Sequence, residues 1–346
     1  AITEGDKNTA IGYDALTNNT EGFDNVALGY QALKSNQTGD RNIAIGRGTL
    51  FSNTVDYNVA VGYSAMYANT DGTNNTAFGY NALYANTTGD RNIGIGYAAL
   101  DAADTENDNL AIGYNALGGS VAGGEYNVAI GNNSLDATTS GDHNVGMGYN
   151  ALTANTTGYT NTGIGSQALS SNTTGFSNVA LGFGALTNSD VGHNNIAIGD
   201  SALLDLDPST HWQGYENVAI GSKAMENATI ATQNIAIGAK ALYGNTASLT
   251  GNSNIAVGPR SLYNNTTGYG NTAMGYDALY DNTTGYNNIA LGYYGPLYNN
   301  EDGDYNIAIG YQSLYANTEG NYNIGIGPYS LRYSDRTTSG DVNGYN

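Results

Sequence analysis

Polar and apolar residues follow one short motif that the chain repeats nineteen times between Asn8 and Gly327. Each copy reads Asn, an aliphatic residue or Thr, then Ala or Gly, an apolar residue and Gly, as in residues 42–46. Thirteen of the eighteen intervals between the closing glycines are 17 residues long. A fixed period of this length is typical of repeat proteins, which grow by stacking units instead of enlarging one core. The pattern therefore predicts a stack of similar coils.

Within each copy the apolar positions predict a strand. We number the positions of a coil from its Asn, so that residues at the same position in successive coils form a column. Columns two to four are apolar on both faces of the strand, and nothing runs at a helical period. Side chains alternate along a strand, so the bulky residues of columns two and four share one face. We expect that bulky face to fill the interior of the coil.

The opposite face of the strand carries only small residues, since column three is Ala or Gly and column five is Gly. A face without bulky side chains lets another backbone approach closely. Burying a few aliphatic side chains per coil offsets only part of the entropy lost on ordering the coil, and hydrogen-bond ladders must supply much of the difference, so burying a further face would matter. We therefore predict self-association along this small face, as a parallel homotrimer. Its first members are Ala10, Ala27, Ala44, Gly12, Gly29 and Gly46.

Column one is Asn in all nineteen copies. Asparagine side chains stacked in register about 4.8 Å apart can form a hydrogen-bonded ladder, as in cross-β assemblies. We interpret the column as a structural ladder. Representative members are Asn8, Asn25, Asn42, Asn127, Asn234, Asn306 and Asn323.

The rest of each coil predicts a second short strand and two turns. Columns eight and nine return to Ala or Ser and then Leu or Met, which indicates a second buried segment. The remainder often reads Asn-Thr-Thr-Gly, as at residues 86–89, where Gly supplies an unusual turn dihedral. The predicted fold is all-β, a parallel β-roll or β-solenoid of about nineteen 17-residue coils. We expect one domain, with coils over residues 8–331 and an irregular tail at 332–346.

Charge and composition exclude several kinds of partner. The chain has a net charge of −20, which repels phosphate backbones, so nucleic acid is not expected to bind. No apolar run is long enough to insert into a membrane. Cysteine is absent, which excludes disulfides and thiolate metal sites. An acidic, disulfide-free repeat chain suits an extracellular fibre.

Catalytic and metal sites are not expected. The three histidines lack partners at metal-ligand spacing, and stacking places His143 and His193 roughly 14 Å apart. Carboxylate pairs are present, but a coil stack offers no cleft that would shift their pKa values. We therefore predict no enzyme activity, no metal and no cofactor.

Two features are candidate binding sites. The interval between Gly199 and Gly221 contains five extra residues and the only Trp in the chain, and insertions in solenoids are often binding loops. Its candidate ligand-binding residues are Trp212, His211, Asp205 and Asp207. Alternatively, the loop packs Trp212 over the edge of a coil.

The second candidate is column six, where Tyr occurs in ten copies at a solvent-facing corner. Stacked tyrosines can bind glycans, or they can stabilise the ladder. The column begins with Tyr13, Tyr30, Tyr63, Tyr80, Tyr97 and Tyr114.

Several Asn-x-Ser/Thr sequons could accept glycans in a secretory setting, including those at Asn18, Asn36, Asn86, Asn155, Asn172 and Asn282. They recur because the turn recurs, so turn chemistry is the competing explanation.

The motif resembles the head repeats of trimeric autotransporter adhesins, in the form found in phage tail fibres. Residues 127–131 (Asn-Val-Ala-Ile-Gly) and 234–238 (Asn-Ile-Ala-Ile-Gly) carry the resemblance. The coil here is longer than the usual adhesin coil by its Asn-Thr-Thr-Gly turn. The resemblance implies a left-handed parallel β-roll trimer on a virion tail fibre or a cell surface.

It also implies a structural and adhesive role: a rigid shaft that presents a surface to a cell-surface glycan or protein receptor. The alternative is an extracellular filament subunit that joins end to end through uncapped β-edges. A glycan-processing enzyme is disfavoured because no acid pair is expected in a groove.

Overall fold

The computed structural model describes residues 6–119, 123–208, 210, 213–244 and 249–333. The chain divides into two compact units, Ala1–Thr174 and Gly175–Asn346. Each unit is a parallel β-solenoid in which one coil of about 17 residues contributes one strand. No helix occurs within the described ranges.

The first unit contains ten strands of three residues each. They are β1 (Thr9–Ile11), β2 (Val26–Leu28), β3 (Ile43–Ile45), β4 (Val59–Val61), β5 (Thr76–Phe78), β6 (Ile93–Ile95), β7 (Leu110–Ile112), β8 (Val128–Ile130), β9 (Val145–Met147) and β10 (Thr162–Ile164). Consecutive strands pair in parallel, and the register aligns identical columns, as with Ala27 and Ala44.

The second unit contains nine strands of the same length and register. They are β11 (Val179–Leu181), β12 (Ile196–Ile198), β13 (Val218–Ile220), β14 (Ile235–Ile237), β15 (Ile255–Val257), β16 (Thr272–Met274), β17 (Ile289–Leu291), β18 (Ile307–Ile309) and β19 (Ile324–Ile326). Register survives the longer coil before β13, because Ala197 still pairs with Ala219. The extra residues of this coil therefore leave the strand register unchanged.

The faces of the strands are the reverse of those expected from side-chain size. Ala27 and Ala44 are fully buried inside their own coils, while the bulky residues of columns two and four lie on the outer surface. The interior opposite column three is filled by the column-nine leucines, such as Leu33 and Leu50, which are also fully buried. A small residue on the strand leaves room for that Leu. The prediction that bulky strand residues fill the interior was therefore wrong.

The self-association face predicted from the small residues is consequently also wrong. Ala27 and Ala44 are enclosed by their own chain, and only Ala10, in the first coil, is exposed. The column-five glycines approach the next coil instead of a second chain. A Cβ on Gly29 would lie 2.4 Å from the carbonyl oxygen of Gly46, and a Cβ on Gly12 would lie 2.4 Å from that of Gly29. Their φ angles, +138° and +136°, also disfavour any other residue.

The second predicted strand is a turn. Residues of column nine have a left-handed backbone, with φ of 49° at Leu33 and 51° at Leu50. Such a backbone is incompatible with a strand. The segment nevertheless bonds to the next coil, since the Leu33 N–H donates to the carbonyl of Thr49 at 3.1 Å. Each coil is therefore one strand and a continuous series of turns.

Candidate functional surfaces

Column one forms a ladder of side-chain to backbone hydrogen bonds. The side-chain oxygen of Asn25 accepts the backbone N–H of Asn42 at 2.9 Å, and its nitrogen donates to the carbonyl of Gly39 at 2.8 Å. Direct amide-to-amide bonds also occur, as between Asn234 and Asn217 at 3.3 Å. Each Asn therefore links its strand to the turn of the next coil. The same arrangement includes Asn8, Asn127, Asn306 and Asn323.

A second asparagine ladder, which the sequence interpretation missed, lies at column twelve. The amide nitrogen of Asn86 donates to the side-chain oxygen of Asn69 at 2.8 Å, and Asn282 bonds to Asn265 at 2.7 Å in the second unit. These residues are fully buried. The available signal was the regular first Asn of the Asn-Thr-Thr-Gly turn, which was assigned to turn chemistry alone.

This second ladder decides whether the sequon asparagines are accessible for glycosylation. The sequon asparagines at 36, 86, 155, 172 and 282 are all fully buried in it, whereas Asn18 is exposed. A buried, hydrogen-bonded amide cannot be reached by a modifying enzyme in the folded chain. Turn and ladder chemistry therefore accounts for these five sequons.

The column-six tyrosines form exposed stacks. Tyr63, Tyr80, Tyr97 and Tyr114 follow one another with ring centroids 5.0, 5.1 and 5.2 Å apart, and Tyr13 stacks on Tyr30 at 5.6 Å. Near-parallel rings at this spacing cover each other's faces. The column therefore presents ring edges and hydroxyl groups to solvent, and a sugar ring cannot stack on the faces within a run.

A further aromatic column lies at column ten and is more buried. In the second unit it contains five stacked tyrosines, Tyr243, Tyr263, Tyr280, Tyr298 and Tyr315, with centroids 4.9–5.1 Å apart. Burial, together with the charge of Asp281, raises the pKa of Tyr298 to about 12. The Tyr298 phenol therefore stays neutral at physiological pH, and the stacked rings of this column act as packing groups.

Of the predicted binding loop, Trp212 and His211 lie outside the described residues. Asp205 and Asp207 are described, and both backbone N–H groups donate to the next coil, to Glu226 and Thr229 at 3.0 Å. The carboxylate of Asp205 accepts a 2.9 Å hydrogen bond from Asn188, and Asp207 is exposed. The backbone at these two residues thus continues the regular hydrogen bonding between successive coils.

Two of the three histidines take part in ring stacks. His143 lies 5.0 Å from the ring of Tyr126, and His193 lies between Phe176 and Tyr215 at 4.7 and 5.4 Å. No group of three or more metal-ligating side chains occurs in the part of the chain that the structure describes.

The outer face of the strands carries exposed apolar side chains in each unit. In the first unit it includes Leu28, Ile43, Phe78 and Ile95, with Phe78 58% exposed. In the second unit it includes Leu181, Ile196, Ile235, Ile237, Met274 and Ile289. Exposed apolar side chains that recur in successive coils make this face a candidate interaction surface. The signal that could have identified it is column nine, where a Leu or Met recurs opposite a column of Ala or Gly.

The described residues include no helix long and apolar enough to cross a membrane. A scan against protein-family models finds no match to the chain, and a search of curated proteins finds no similar sequence.

Proposed function

We propose that this chain is an extracellular structural and adhesive fibre segment, of the phage tail-fibre or adhesin-head type. It acts as a rigid shaft that presents a receptor-binding surface, on a virion tail fibre or a cell surface. The proposal includes no catalytic step. The observation that carries it is the aliphatic outer face of the strands, because an uncovered apolar face repeated coil after coil suits lateral packing of parallel chains.

The proposed assembly is a parallel homotrimer packed through this outer face. Side chains such as Phe78 and Ile95 would leave water on assembly, and each buried methylene contributes about 0.8 kcal/mol. The contribution grows with the number of coils, so a long repeat array gains cooperatively from lateral packing. The stiffness of a shaft is supported by the two asparagine ladders, which link successive coils over much of each unit.

The receptor partner is proposed to be a cell-surface glycan or protein. Because stacking covers the tyrosine faces, recognition along column six relies on hydroxyl groups and ring edges. Hydroxyl groups donate and accept hydrogen bonds, which suits a hydroxyl-rich glycan.

The test combines mass determination with a face-specific variant. Light scattering after gel filtration should give three times the chain mass for the native protein. Phe78→Glu combined with Ile95→Glu places two charges on the proposed interface and should yield monomers with an unchanged circular dichroism spectrum. Thr88→Glu, on an exposed turn of the same unit, is the matched control and should leave the trimer intact. A monomeric native protein contradicts the proposal.

One observation favours an alternative, an extracellular filament subunit joined end to end. In strand β1 all three residues are exposed, including Ala10, whose counterparts in the following coils are buried. Such an edge can template the addition of another strand. Electron microscopy separates the two: fibres of uniform length support the shaft, and filaments that lengthen with concentration support end-to-end joining.

A further inference from the structure

The tyrosine stack of column six is interrupted within the first unit by a residue without a ring. Tyr114 stacks on Tyr97 through one face, and the next coil places Asn132 at the same column position. The coil after that returns to Tyr149, which makes no ring contact with any other described residue. One ring is thus missing between two tyrosines.

The same interruption occurs earlier in the column, where it is filled. Arg47 lies between Tyr30 and Tyr63, and the central carbon of its guanidinium is 5.5 Å from each ring centroid. A planar cation therefore fits the space of one absent ring. Arg41 makes a related arrangement, 4.9 Å from Phe23 and 5.4 Å from Tyr57.

Asn132 does not fill its own gap in this way. Its side-chain oxygen accepts the backbone N–H of Tyr114 at 3.1 Å, so its amide is held at the backbone and carries no charge. Tyr114 and Tyr149 are 50% and 54% exposed. With one coil per 4.8 Å or so, two coil steps separate the tyrosine positions by about 10 Å, enough for one planar group with a ring on either side.

We propose that Tyr114 and Tyr149 form a sandwich site for the guanidinium group of an arginine side chain from a partner protein. A cation over an aromatic face is attracted by the ring quadrupole, and two faces contribute together. Arginine fits better than lysine because its planar head stacks on rings. The net charge of −20 attracts basic partners over a longer range. The site needs only the column geometry and does not depend on the proposed fibre role.

The test uses saturation-transfer difference NMR on the full chain, which detects millimolar binding. The probes are acetyl-Gly-Arg-Gly-amide and the same peptide with lysine or citrulline in place of arginine. Citrulline keeps the planar shape without the charge, and lysine keeps the charge without the plane. We expect transfer to the arginine side chain well above that to either of the other two.

Three variants locate the signal. Asn132→Arg fills the gap from within and should reduce the arginine signal to the citrulline level. Asn18→Arg adds the same charge on an exposed turn and should leave the signal in place. Arg47→Asn opens a second gap between Tyr30 and Tyr63, and it should raise the signal about twofold. Circular dichroism confirms that each variant is folded.

Equal signals from the arginine and citrulline peptides, or from the arginine and lysine peptides, overturn the proposal. So does an arginine signal that Asn132→Arg leaves unchanged, since binding would then follow overall charge. A failure of Arg47→Asn to gain signal shows that a gap between two tyrosines does not suffice, and this also overturns it.

Discussion

The side-chain nitrogen of Asn69 donates a 2.7 Å hydrogen bond to the side-chain oxygen of Asn53, one coil away in the interior of the first unit. The same nitrogen donates to the carbonyl of Gly72 at 2.9 Å, and the oxygen of Asn69 accepts from Asn86 at 2.8 Å. The amide is fully buried and joins three coils. Water cannot replace these bonds when the amide is removed.

Asn69→Ala is therefore expected to lower the free energy of unfolding by about 2–4 kcal/mol, because buried partners lose their hydrogen bonds. Urea unfolding followed by circular dichroism measures the change. Asn18→Ala, at an exposed position of the turn, should change the free energy by less than about 0.5 kcal/mol. Equal effects of the two variants contradict a structural role for the inner ladder.

Gly62 tests the close approach of successive coils. A Cβ there would lie 2.1 Å from the carbonyl oxygen of Gly79, and φ is +140°. Gly62→Ala should therefore prevent native packing or cost more than about 3 kcal/mol of unfolding free energy. Gly48→Ala is the control, because Gly48 has φ of +64° but its nearest neighbour would be 3.5 Å away.

The control isolates the backbone strain of a left-handed residue, worth about 1–2 kcal/mol. The midpoint temperature of thermal unfolding should therefore be well below that of Gly48→Ala in the Gly62→Ala variant. The reverse order contradicts a steric role for column five.

Tyr80 tests the energetic value of the exposed stack. Its ring lies between those of Tyr63 and Tyr97, at 5.0 and 5.1 Å. Tyr80→Ala should lower the unfolding free energy by about 1–3 kcal/mol, because each aromatic pair contributes about 0.5–1.5 kcal/mol. Tyr80→Phe keeps both stacks and should retain nearly all stability. Tyr149→Ala removes a tyrosine that has no ring partner in the described part of the chain, and it should cost less than Tyr80→Ala.

Asp101 provides a prediction on pH. Partial burial raises the pKa of its carboxyl group above the usual value of 3.8, and the charge of Asp136 raises it further. A raised pKa means that the folded chain binds the proton more tightly than the unfolded chain does. The resulting stabilisation is present below about pH 3.8 and is lost as the pH rises through the folded-state pKa.

Asp101→Asn should therefore increase stability at pH 7 and reduce the part of the pH dependence that lies just above pH 3.8. Urea midpoints measured at several pH values from 3.5 to about 7 test this expectation. Glu21→Gln, on an exposed turn, serves as the control for removing one negative charge. If Asp101→Asn is less stable than the native chain at pH 7, the expected effect of Asp101 is contradicted.

Much of the fold was predictable because a fixed repeat period implies that equivalent residues of successive coils lie in register. The period places Ala27 above Ala44 in the observed register, and the parallel strands follow from it. The prediction that the glycines of the Asn-Thr-Thr-Gly segments supply an unusual turn dihedral was wrong, since Gly89 and Gly268 do not have a positive φ; a Cβ at either position would instead clash with the backbone of the next coil. The candidate surfaces were less predictable, since Tyr97 is visible in the sequence but the covering of its faces by Tyr80 and Tyr114 depends on ring orientation.

The inside and outside of the coil could not be assigned from the strand alone. An apolar strand such as β3 offers two faces, and size suggested that Ile43 and Ile45 point inward. The interior is instead filled by Leu33 and Leu50 from the turns, which leaves space only for Ala44. Which face is buried depends on a residue of column nine, whose left-handed backbone no hydrophobic pattern reveals.

The sequence by itself determined a parallel stack of coils, because identical residues every 17 positions can be satisfied together only when each coil lies on the next in register. Tertiary structure alone decided which side of each strand faces water. The interior of the coil is filled by the column-nine Leu, the small residues of columns three and eight and the buried asparagines, so the larger strand side chains lie outside. As a result Leu28 and Phe78 are exposed on the outer face and Ala27 belongs to the core.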